Sequence, residues 1–188
     1  MDDKRLIKIS KNLSFHLRHR PEALGLTLAK GGWVEVDALL GAAAAAGFPI
    51  TPEELKTVVA TNNKQRFAFD KSETRIRANQ GHSTAVDLGL IAQSPPDTLY
   101  HGTGAQFVPA ILREGLSKMR RHHVHLSADM ETAYAVGSRH GKPMILQVDA
   151  AAMVRDRFEF YRSANGVWLV DRVPPSYLAI SGSSAAGH

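Results

Sequence analysis

Apolar residues at helical spacing define the first element of the chain. They lie three or four residues apart, with basic residues between them: Leu6, Ile9, Leu13 and Leu17. This pattern predicts an amphipathic helix over residues 4–18 with a basic outer face. Because Pro21 disfavours helical geometry at Arg20, the helix is expected to end there.

Two more helices and three short strands are predicted in the first half. Asp37 is expected to cap an alanine-rich helix over residues 38–46, and Thr51 to cap a helix that begins at Pro52. Strands are predicted within residues 31–36, 64–69 and 75–78. Helices followed by a two-stranded wing suggest a winged-helix unit. Proteins with this fold often bind nucleic acid, but the fold alone does not establish that function.

The second half alternates short strands with few helices. Helices are predicted over residues 107–114 and 129–138, and a fully buried strand over residues 144–148. The other predicted strands cover residues 99–103, the segment from Val124, and residues 158–161, 167–170 and 177–180. This mixture predicts an α+β fold.

A polar, proline-containing segment separates the halves. Gln93-Ser94-Pro95-Pro96-Asp97 has the composition of a linker, so the domain boundary is placed near Ser94. The predicted domains are residues 1–94 and 95–181, and residues 182–188 are expected to form a disordered tail.

Composition narrows the function classes. A chain of 188 residues that is 44% hydrophobic can bury a core. The absence of cysteine excludes disulfides, thiolate-bound zinc and a cysteine nucleophile. The chain has no apolar signal core and no apolar run of membrane-spanning length, so a cytoplasmic protein is expected. The net charge of +5 permits a nucleic-acid partner without requiring one.

Two clusters of cationic side chains are the candidate chemistry. One is the end of the first helix, Phe15-His16-Leu17-Arg18-His19-Arg20-Pro21. The other is Arg120-Arg121-His122-His123-Val124-His125-Leu126-Ser127. If the second is a strand, His123 and His125 share one face, which Arg121 can join, while Val124 and Leu126 pack behind it. Such clustering of like charge indicates an anionic ligand.

Two other classes of function compete at this point. A metalloenzyme could use His122, His123, His125 and Asp129, but this spacing matches no usual ligand set, and zinc titration would decide. A non-catalytic winged-helix RNA-binding protein would explain Arg66 and the basic helix. It would leave the stretch His101-Gly102-Thr103 without a role.

Six motifs occur in order along the chain: Leu17-Arg18-His19-Arg20-Pro21, Lys64-Gln65-Arg66-Phe67, Ile76-Arg77-Ala78-Asn79-Gln80-Gly81-His82-Ser83, the stretch 99–103, the stretch 123–127, and Asn165-Gly166-Val167-Trp168-Leu169. Together they resemble the NAD-dependent RNA 2′-phosphotransferase family, with an ADP-ribosyltransferase-like second half. The resemblance covers residues 4–181, nearly the whole chain, and NAD binding would separate this family from a non-catalytic RNA-binding protein.

The resemblance implies removal of an internal 2′-phosphate from RNA of the tRNA splice-junction type, with NAD consumed. The phosphate attacks the ribose carbon that carries nicotinamide. The ribose 2″-hydroxyl then attacks phosphorus, which releases RNA with a 2′-hydroxyl and ADP-ribose 1″,2″-cyclic phosphate. A transferase that stops at ADP-ribosylated nucleic-acid phosphate ends shares the cofactor and differs in product.

The resemblance also implies the roles of individual residues. The family's catalytic group matches Arg18, His19, Arg66 and Arg121, which would meet in a cleft between the lobes. The residues expected to bind NAD are His101, Gly102, Thr103, His125 and Ser127. No metal is expected, and the partner would be a tRNA-like RNA bound by a monomer.

Overall fold

The chain divides into two compact units, Met1–Leu90 and Ile91–His188. The computed structural model describes residues 2–62 and 64–181. The predicted tail, residues 182–188, lies outside the described residues. Both units mix helices with small antiparallel sheets, so the predicted α+β class is confirmed. The winged-helix and ADP-ribosyltransferase-like assignments of the lobes stay predictions.

Helix α1, Asp3–Arg18, confirms the first predicted element. The Asp2 side chain accepts a hydrogen bond from the Lys4 backbone N–H at 3.0 Å and caps the helix. Ile9, Leu13 and Leu17 are fully buried. Beyond the helix, a 3₁₀ turn spans Pro21–Leu24.

Two further helices complete the helical part of the described first unit: α2, Val36–Ala45, and α3, Pro52–Thr61. The predicted capping box of α3 is present, because Thr51 and Glu54 exchange side-chain-to-backbone hydrogen bonds at 3.2 and 3.0 Å. The predicted cap of α2 is wrong. Glu35 is the N-cap and Asp37 lies in the first turn, because strand β1 leads directly into the helix.

Three short strands form the sheet of the first unit in the order β1-β3-β2: β1, Val34–Glu35; β2, Phe67–Phe69; β3, Arg75–Ala78. Both pairings are antiparallel, with Val34 opposite Ile76 and Phe67 opposite Ala78. The predicted two-stranded wing therefore has a third strand. Its buried side chains pack with α1, α2 and α3 in one core.

The second unit holds three small antiparallel sheets within its described residues, in the orders β11-β7-β4, β6-β9-β8 and β10-β5. The strands are β4, Thr98–Gly104; β5, Leu116–Ser117; β6, Val124–Leu126; β7, Pro143–Asp149; β8, Phe160–Arg162; β9, Trp168–Val170; β10, Arg172–Val173; and β11, Leu178–Ile180. The helices are α4, Val108–Glu114; α5, Met130–Gly137; and α6, Ala150–Arg155.

Two predictions for this unit need correction. Strand β7 is buried on one face only, with Leu146 and Val148 inside and Gln147 exposed, because β4 and β11 pair along its edges and the core packs against the face that carries Val148. Helix α6 was missed, although Asp149 caps it by accepting a hydrogen bond from the Ala152 N–H at 2.8 Å. The two-residue strands β5 and β10 are too short to give a periodic signal.

Tyr100 and Ser127 connect strands β4 and β6. Their backbones exchange two hydrogen bonds of 2.9 and 2.8 Å. The bridge brings His101, which follows Tyr100, close to His125, two residues before Ser127. Among the described residues, no helix combines the length and apolarity needed to cross a bilayer.

Candidate active site

Arg18 and His19 form the end of α1 and are held by one neighbouring segment. The Arg18 carbonyl accepts hydrogen bonds from the backbone N–H groups of Ser83 at 2.8 Å and Thr84 at 3.2 Å. Nδ1 of His19 lies 2.8 Å from the Ser83 hydroxyl oxygen. Ser83 thus fixes the backbone of one predicted catalytic residue and the imidazole of the next.

Arg66 immediately precedes β2 and reaches the same helix. Its Nη1 donates a hydrogen bond to the Ser10 hydroxyl at 3.4 Å, and its carbonyl accepts one from the Asn79 N–H at 2.9 Å. Ser10 and Arg18 are eight residues apart, about 12 Å along the helix and less than a quarter turn around it. Arg66 therefore lies along the side of α1 that carries Arg18.

Segment 79–83 links these three residues. It begins at Asn79, which bonds the Arg66 carbonyl, and ends at Ser83, which bonds Arg18 and His19. Gly81 in its middle has a φ of +84°, and a Cβ there would lie 3.5 Å from Nη1 of Arg18. The segment passes close to the Arg18 guanidinium because a glycine accepts this backbone conformation. The first unit thus brings Arg18, His19 and Arg66 to one segment.

Sequence reasoning missed the role of Ser83. The motif Gln80-Gly81-His82-Ser83 follows shortly after β3, but nothing in its spacing indicates which side chain it contacts. The partner is 64 residues earlier in the chain, so the contact depends on how β3 packs near the end of α1. Only the hydroxyl of Ser83, a group that can cap or orient an imidazole, could have served as a signal.

His101 in β4 is held in a defined protonation state. Its Nδ1 lies 3.2 Å from the His125 carbonyl oxygen. Because a carbonyl can only accept, Nδ1 carries the proton and Nε2 has a lone pair. Burial lowers the pKa of His101, an effect that the carbonyl partly opposes and the nearby His140 reinforces. His101 therefore presents a neutral hydrogen-bond acceptor.

Arg121 and His125 are in contact, although Arg121 lies outside the strand. Strand β6 begins at Val124, and Arg121 lies in a turn closed by its N–H to the Lys118 carbonyl at 2.9 Å. Its Nη1 is 3.3 Å from Nδ1 of His125. Because a guanidinium can only donate, Nδ1 of His125 is the acceptor, and the neutral ring has its proton on Nε2. The Arg121 side chain thus contacts the face of the strand that carries His123 and His125.

The alternation predicted for β6 is otherwise confirmed. Val124 and Leu126 are buried, while His123 and His125 are half-buried on the other face. The His123 ring packs against Tyr161 with 5.4 Å between ring centroids. Burial, followed by the charges of His122 and Lys118, lowers the pKa of His123. His123 is therefore mainly an aromatic packing residue.

Gly102 and Thr103 are positioned by close packing against α5. A Cβ on Gly102 would overlap the Ala133 carbonyl oxygen and lie 2.9 Å from the Gly137 nitrogen. A Cβ on Gly137 would lie 2.9 Å from the Thr103 carbonyl oxygen. The glycine at position 102 thus lets helix α5 approach strand β4 closely. Thr103 is buried, and the backbone of Ser127 is committed to Tyr100, leaving its hydroxyl as the group able to bind a ligand.

A metal site has no support from the part of the chain that the structure describes. There, no group of three or more histidine, cysteine, aspartate or glutamate side chains could hold a metal ion. The candidate residues of the two units carry guanidiniums, imidazoles and hydroxyls, side-chain groups suited to phosphate oxygens.

A family model described as RNA 2′-phosphotransferase, Tpt1/KptA family, matches residues 4–172. The chain belongs to this family. The match spans both units, and it confirms the family recognised from the sequence motifs.

Curated relatives of the same length agree with this membership. A probable RNA 2′-phosphotransferase of Trichormus variabilis is 62% identical over 95% of this chain and 98% of its own length. A probable RNA 2′-phosphotransferase of Streptomyces coelicolor is 60% identical over 95% of this chain and 97% of its own length. A probable RNA 2′-phosphotransferase of Agrobacterium fabrum is 52% identical over 94% of this chain and 95% of its own length. The RNA 2′-phosphotransferase relatives therefore share both units with this chain.

Proposed function

We propose that this chain is an enzyme that removes an internal 2′-phosphate from RNA and transfers it to NAD. The products are RNA with a 2′-hydroxyl, nicotinamide and ADP-ribose 1″,2″-cyclic phosphate. Family membership supports the reaction class. The structural observation that carries the proposal is the attachment of Arg18, His19 and Arg66 to one segment, since the reaction needs several cationic groups on one phosphate.

The reaction has two steps with defined bond changes. NAD supplies the ribose carbon that bears nicotinamide, and an oxygen of the RNA phosphate bonds to that carbon while nicotinamide leaves with the electron pair of its bond. The ribose 2″-hydroxyl then bonds to phosphorus as the bond to the RNA 2′-oxygen breaks. The proton of the 2″-hydroxyl goes to the departing RNA oxygen.

The arginines are proposed to bind the phosphate throughout. The Arg18 guanidinium lies beside Gly81 and that of Arg66 beside Ser10 of α1, and each can donate two parallel hydrogen bonds to phosphate oxygens. Arg121 is proposed to add a third guanidinium, oriented by its contact with His125. Permanent charge on these groups stabilises the additional negative charge of the five-coordinate phosphorus in the second step.

His19 is proposed to move the proton of the second step. Its Nδ1 faces the Ser83 hydroxyl, which can either donate or accept a hydrogen bond by rotating. The imidazole can therefore have its proton on either nitrogen without losing this contact. Proton transfer would then take place at Nε2, which can take a proton from the 2″-hydroxyl and return it to the RNA oxygen.

NAD is proposed to bind along β4 and β6. His101 offers a lone pair on Nε2, and His125 offers a proton on its Nε2, so the two can hold an amide or ribose hydroxyl groups from both sides. Ser127 adds a hydroxyl, while Gly102 and Thr103 contribute the strand against which the ligand lies. These uncharged donors and acceptors fit a nicotinamide riboside, whereas the cationic groups fit the transferring phosphate.

The test is a product analysis. The protein is incubated with a short RNA carrying one internal 2′-phosphate, with and without NAD, and both RNA and nucleotide products are followed. NAD-dependent loss of phosphate with formation of ADP-ribose cyclic phosphate is expected, and the variant Arg66→Ala should lose it. RNA that binds but keeps its phosphate would favour a binding protein. ADP-ribose that stays attached to RNA would indicate a transferase lacking the second step.

Three finer features are part of the same proposal. The RNA is tRNA-like, the protein acts as a monomer, and the reaction takes place in the cytoplasm. Size-exclusion chromatography with light scattering tests the monomer, and turnover of a 2′-phosphorylated tRNA against an unstructured RNA of the same junction tests the substrate.

A further inference from the structure

One face of α1 carries a row of lysines that ends in an exposed aromatic ring. At 100° per residue, Lys4, Lys8, Lys11, Phe15 and Arg18 fall within about 80° of the helix circumference. The buried residues Ile9, Leu13 and Leu17 occupy the opposite side. We call Lys4, Lys8, Lys11 and Phe15 the α1 stripe.

The charge of the α1 stripe is not balanced locally. No acidic residue occurs between Lys4 and Glu22. Arg5, beside the stripe, pairs with Glu54 at 2.9 Å, whereas none of the three stripe lysines lies within 4.0 Å of a carboxylate in residues 2–62 and 64–181. Lysines three or four residues apart on one face repel each other. Lys4 also lies in the first turn, where the helix dipole disfavours a cation. Such an arrangement costs helix stability unless an anion binds to it.

Phe15 gives the stripe a second property. Its side chain is 50% exposed, and its ring touches the His16 ring edge-on at 5.0 Å between centroids. It lies one helical turn before His19. An exposed aromatic beside a row of cations is the combination by which single-stranded nucleic acid is held, with phosphates on the cations and a base on the ring.

We propose that the α1 stripe binds the RNA strand next to the reactive 2′-phosphate, with Phe15 stacking on a flanking base. This inference rests on the proposed function, since it assumes that the phosphate lies at Arg18 and His19. From Arg18, Phe15 is about 4.5 Å back along the helix axis, Lys11 about 10 Å and Lys4 about 21 Å. At about 3.4 Å per phosphate along one strand of a duplex, the stripe accommodates roughly six nucleotides.

Two sets of variants test the stripe. Lys4→Gln, Lys8→Gln and Lys11→Gln are combined in one variant, which keeps helix propensity and lowers the net charge by three. Lys30→Gln, Lys56→Gln and Lys71→Gln are combined in a control with the same charge change in the same unit. KM and kcat are measured for 2′-phosphorylated RNAs from two to twelve nucleotides long, at several salt concentrations.

The stripe variant should raise KM for the long RNAs by roughly tenfold or more and leave kcat and the dinucleotide KM unchanged. Its salt slope should fall by about 2, because each lost phosphate contact on a single strand removes about 0.7. The control variant should keep the wild-type slope and length dependence. Equal KM values and salt slopes in the two variants would overturn the proposal, as would an equal effect on short and long RNAs.

Phe15 is tested separately. Phe15→Leu should raise KM for RNAs with a flanking base by roughly tenfold, and Phe15→Trp should restore it, because stacking needs an aromatic face and tolerates any base. A wild-type KM for the Phe15→Leu variant would show that Phe15 is not part of the RNA-binding surface. Binding of an unphosphorylated twelve-nucleotide RNA, followed by fluorescence anisotropy, separates the two proposals. If neither the wild type nor the variants transfer phosphate but the stripe variant binds this RNA more weakly than the control, the proposed function fails, whereas RNA binding by the α1 stripe is supported.

Discussion

Removing the Ser83 hydroxyl should slow the reaction through His19 alone. The variant Ser83→Ala deletes the contact between Oγ and Nδ1 of His19, which is 2.8 Å long. It keeps the hydrogen bond from the Ser83 backbone N–H to the Arg18 carbonyl, also 2.8 Å. The substitution therefore loosens the imidazole without displacing the neighbouring guanidinium.

The size of the effect follows from the exposure of this contact. A neutral hydrogen bond contributes about 1 kcal/mol, and one to a charged group about 1.5–3 kcal/mol. Ser83 is exposed, so water can replace its hydroxyl, and the lower value applies when His19 is neutral. We expect kcat to fall by roughly fivefold where His19 is neutral and by more where the imidazolium must be held.

The assay is the pH profile of steady-state phosphate release from a short 2′-phosphorylated RNA at saturating NAD. Ser83→Ala should lower kcat, move the His19-dependent limb of the profile, and leave KM for RNA nearly unchanged. Ser83→Thr, which restores a hydroxyl, should recover most of the rate. Ser72→Ala, which removes an exposed hydroxyl from another turn of the first unit, serves as the control.

A double-mutant cycle decides whether Ser83 acts through His19. In the background of His19→Ala, adding Ser83→Ala should change the rate little, because the hydroxyl has lost its partner. An effect of the same size in both backgrounds would refute the reasoning, and so would wild-type kinetics of Ser83→Ala at every pH.

Three further predictions concern the second unit. Arg121→Ala should slow phosphate transfer by about 10²–10³-fold and leave NAD binding largely intact. The control Arg155→Ala, which removes an exposed charge, should have near-normal turnover, and equal rates of the two variants would exclude Arg121. Gly102→Ala should lower the free energy of unfolding by about 3 kcal/mol in urea titrations, because the new Cβ would clash with the backbone of helix α5. The control Gly41→Ala, whose Cβ would point into open space in α2, should raise the free energy of unfolding by about 0.5–1 kcal/mol. Burial lowers the pKa of His101 in the folded state. The contribution of His101 to the free energy of unfolding is therefore full above the unfolded pKa of about 6.5 and is lost as the pH falls through the folded value. His101→Gln should remove this contribution from the pH dependence of unfolding, and an unchanged profile would contradict the assignment.

The elements with strong local signals were predictable from the sequence. Helix α1 follows from the spacing of its apolar residues, and α3 from Thr51, Pro52 and Glu54, since all of these act within one or two helical turns. Helix α2 was displaced by two residues because the capping preference of Asp37 gave way to the tertiary pairing of β1, which delivers the chain directly into the helix.

The candidate site was predictable as a set of residue types but not as a set of contacts. The motifs gave Arg18, His19, Arg66 and Arg121, whose roles stay proposals. The contacts that orient them join residues distant in the chain, as with His19 and Ser83, or depend on where a strand begins, as with Arg121 and His125. No local pattern contains this information, because it arises when the sheets and helices pack.

Helix α1 has a structural consequence for insertions and deletions. The same sixteen residues place Leu17 in the core and Arg18, the next residue, 100° further around the helix. Inserting or deleting one residue between Leu13 and Leu17 would rotate everything beyond it by 100° and shift it by 1.5 Å. Either Leu17 would leave the core, or Arg18 and His19 would turn away from segment 79–83. Length changes within the helix are therefore expected to abolish either folding or activity.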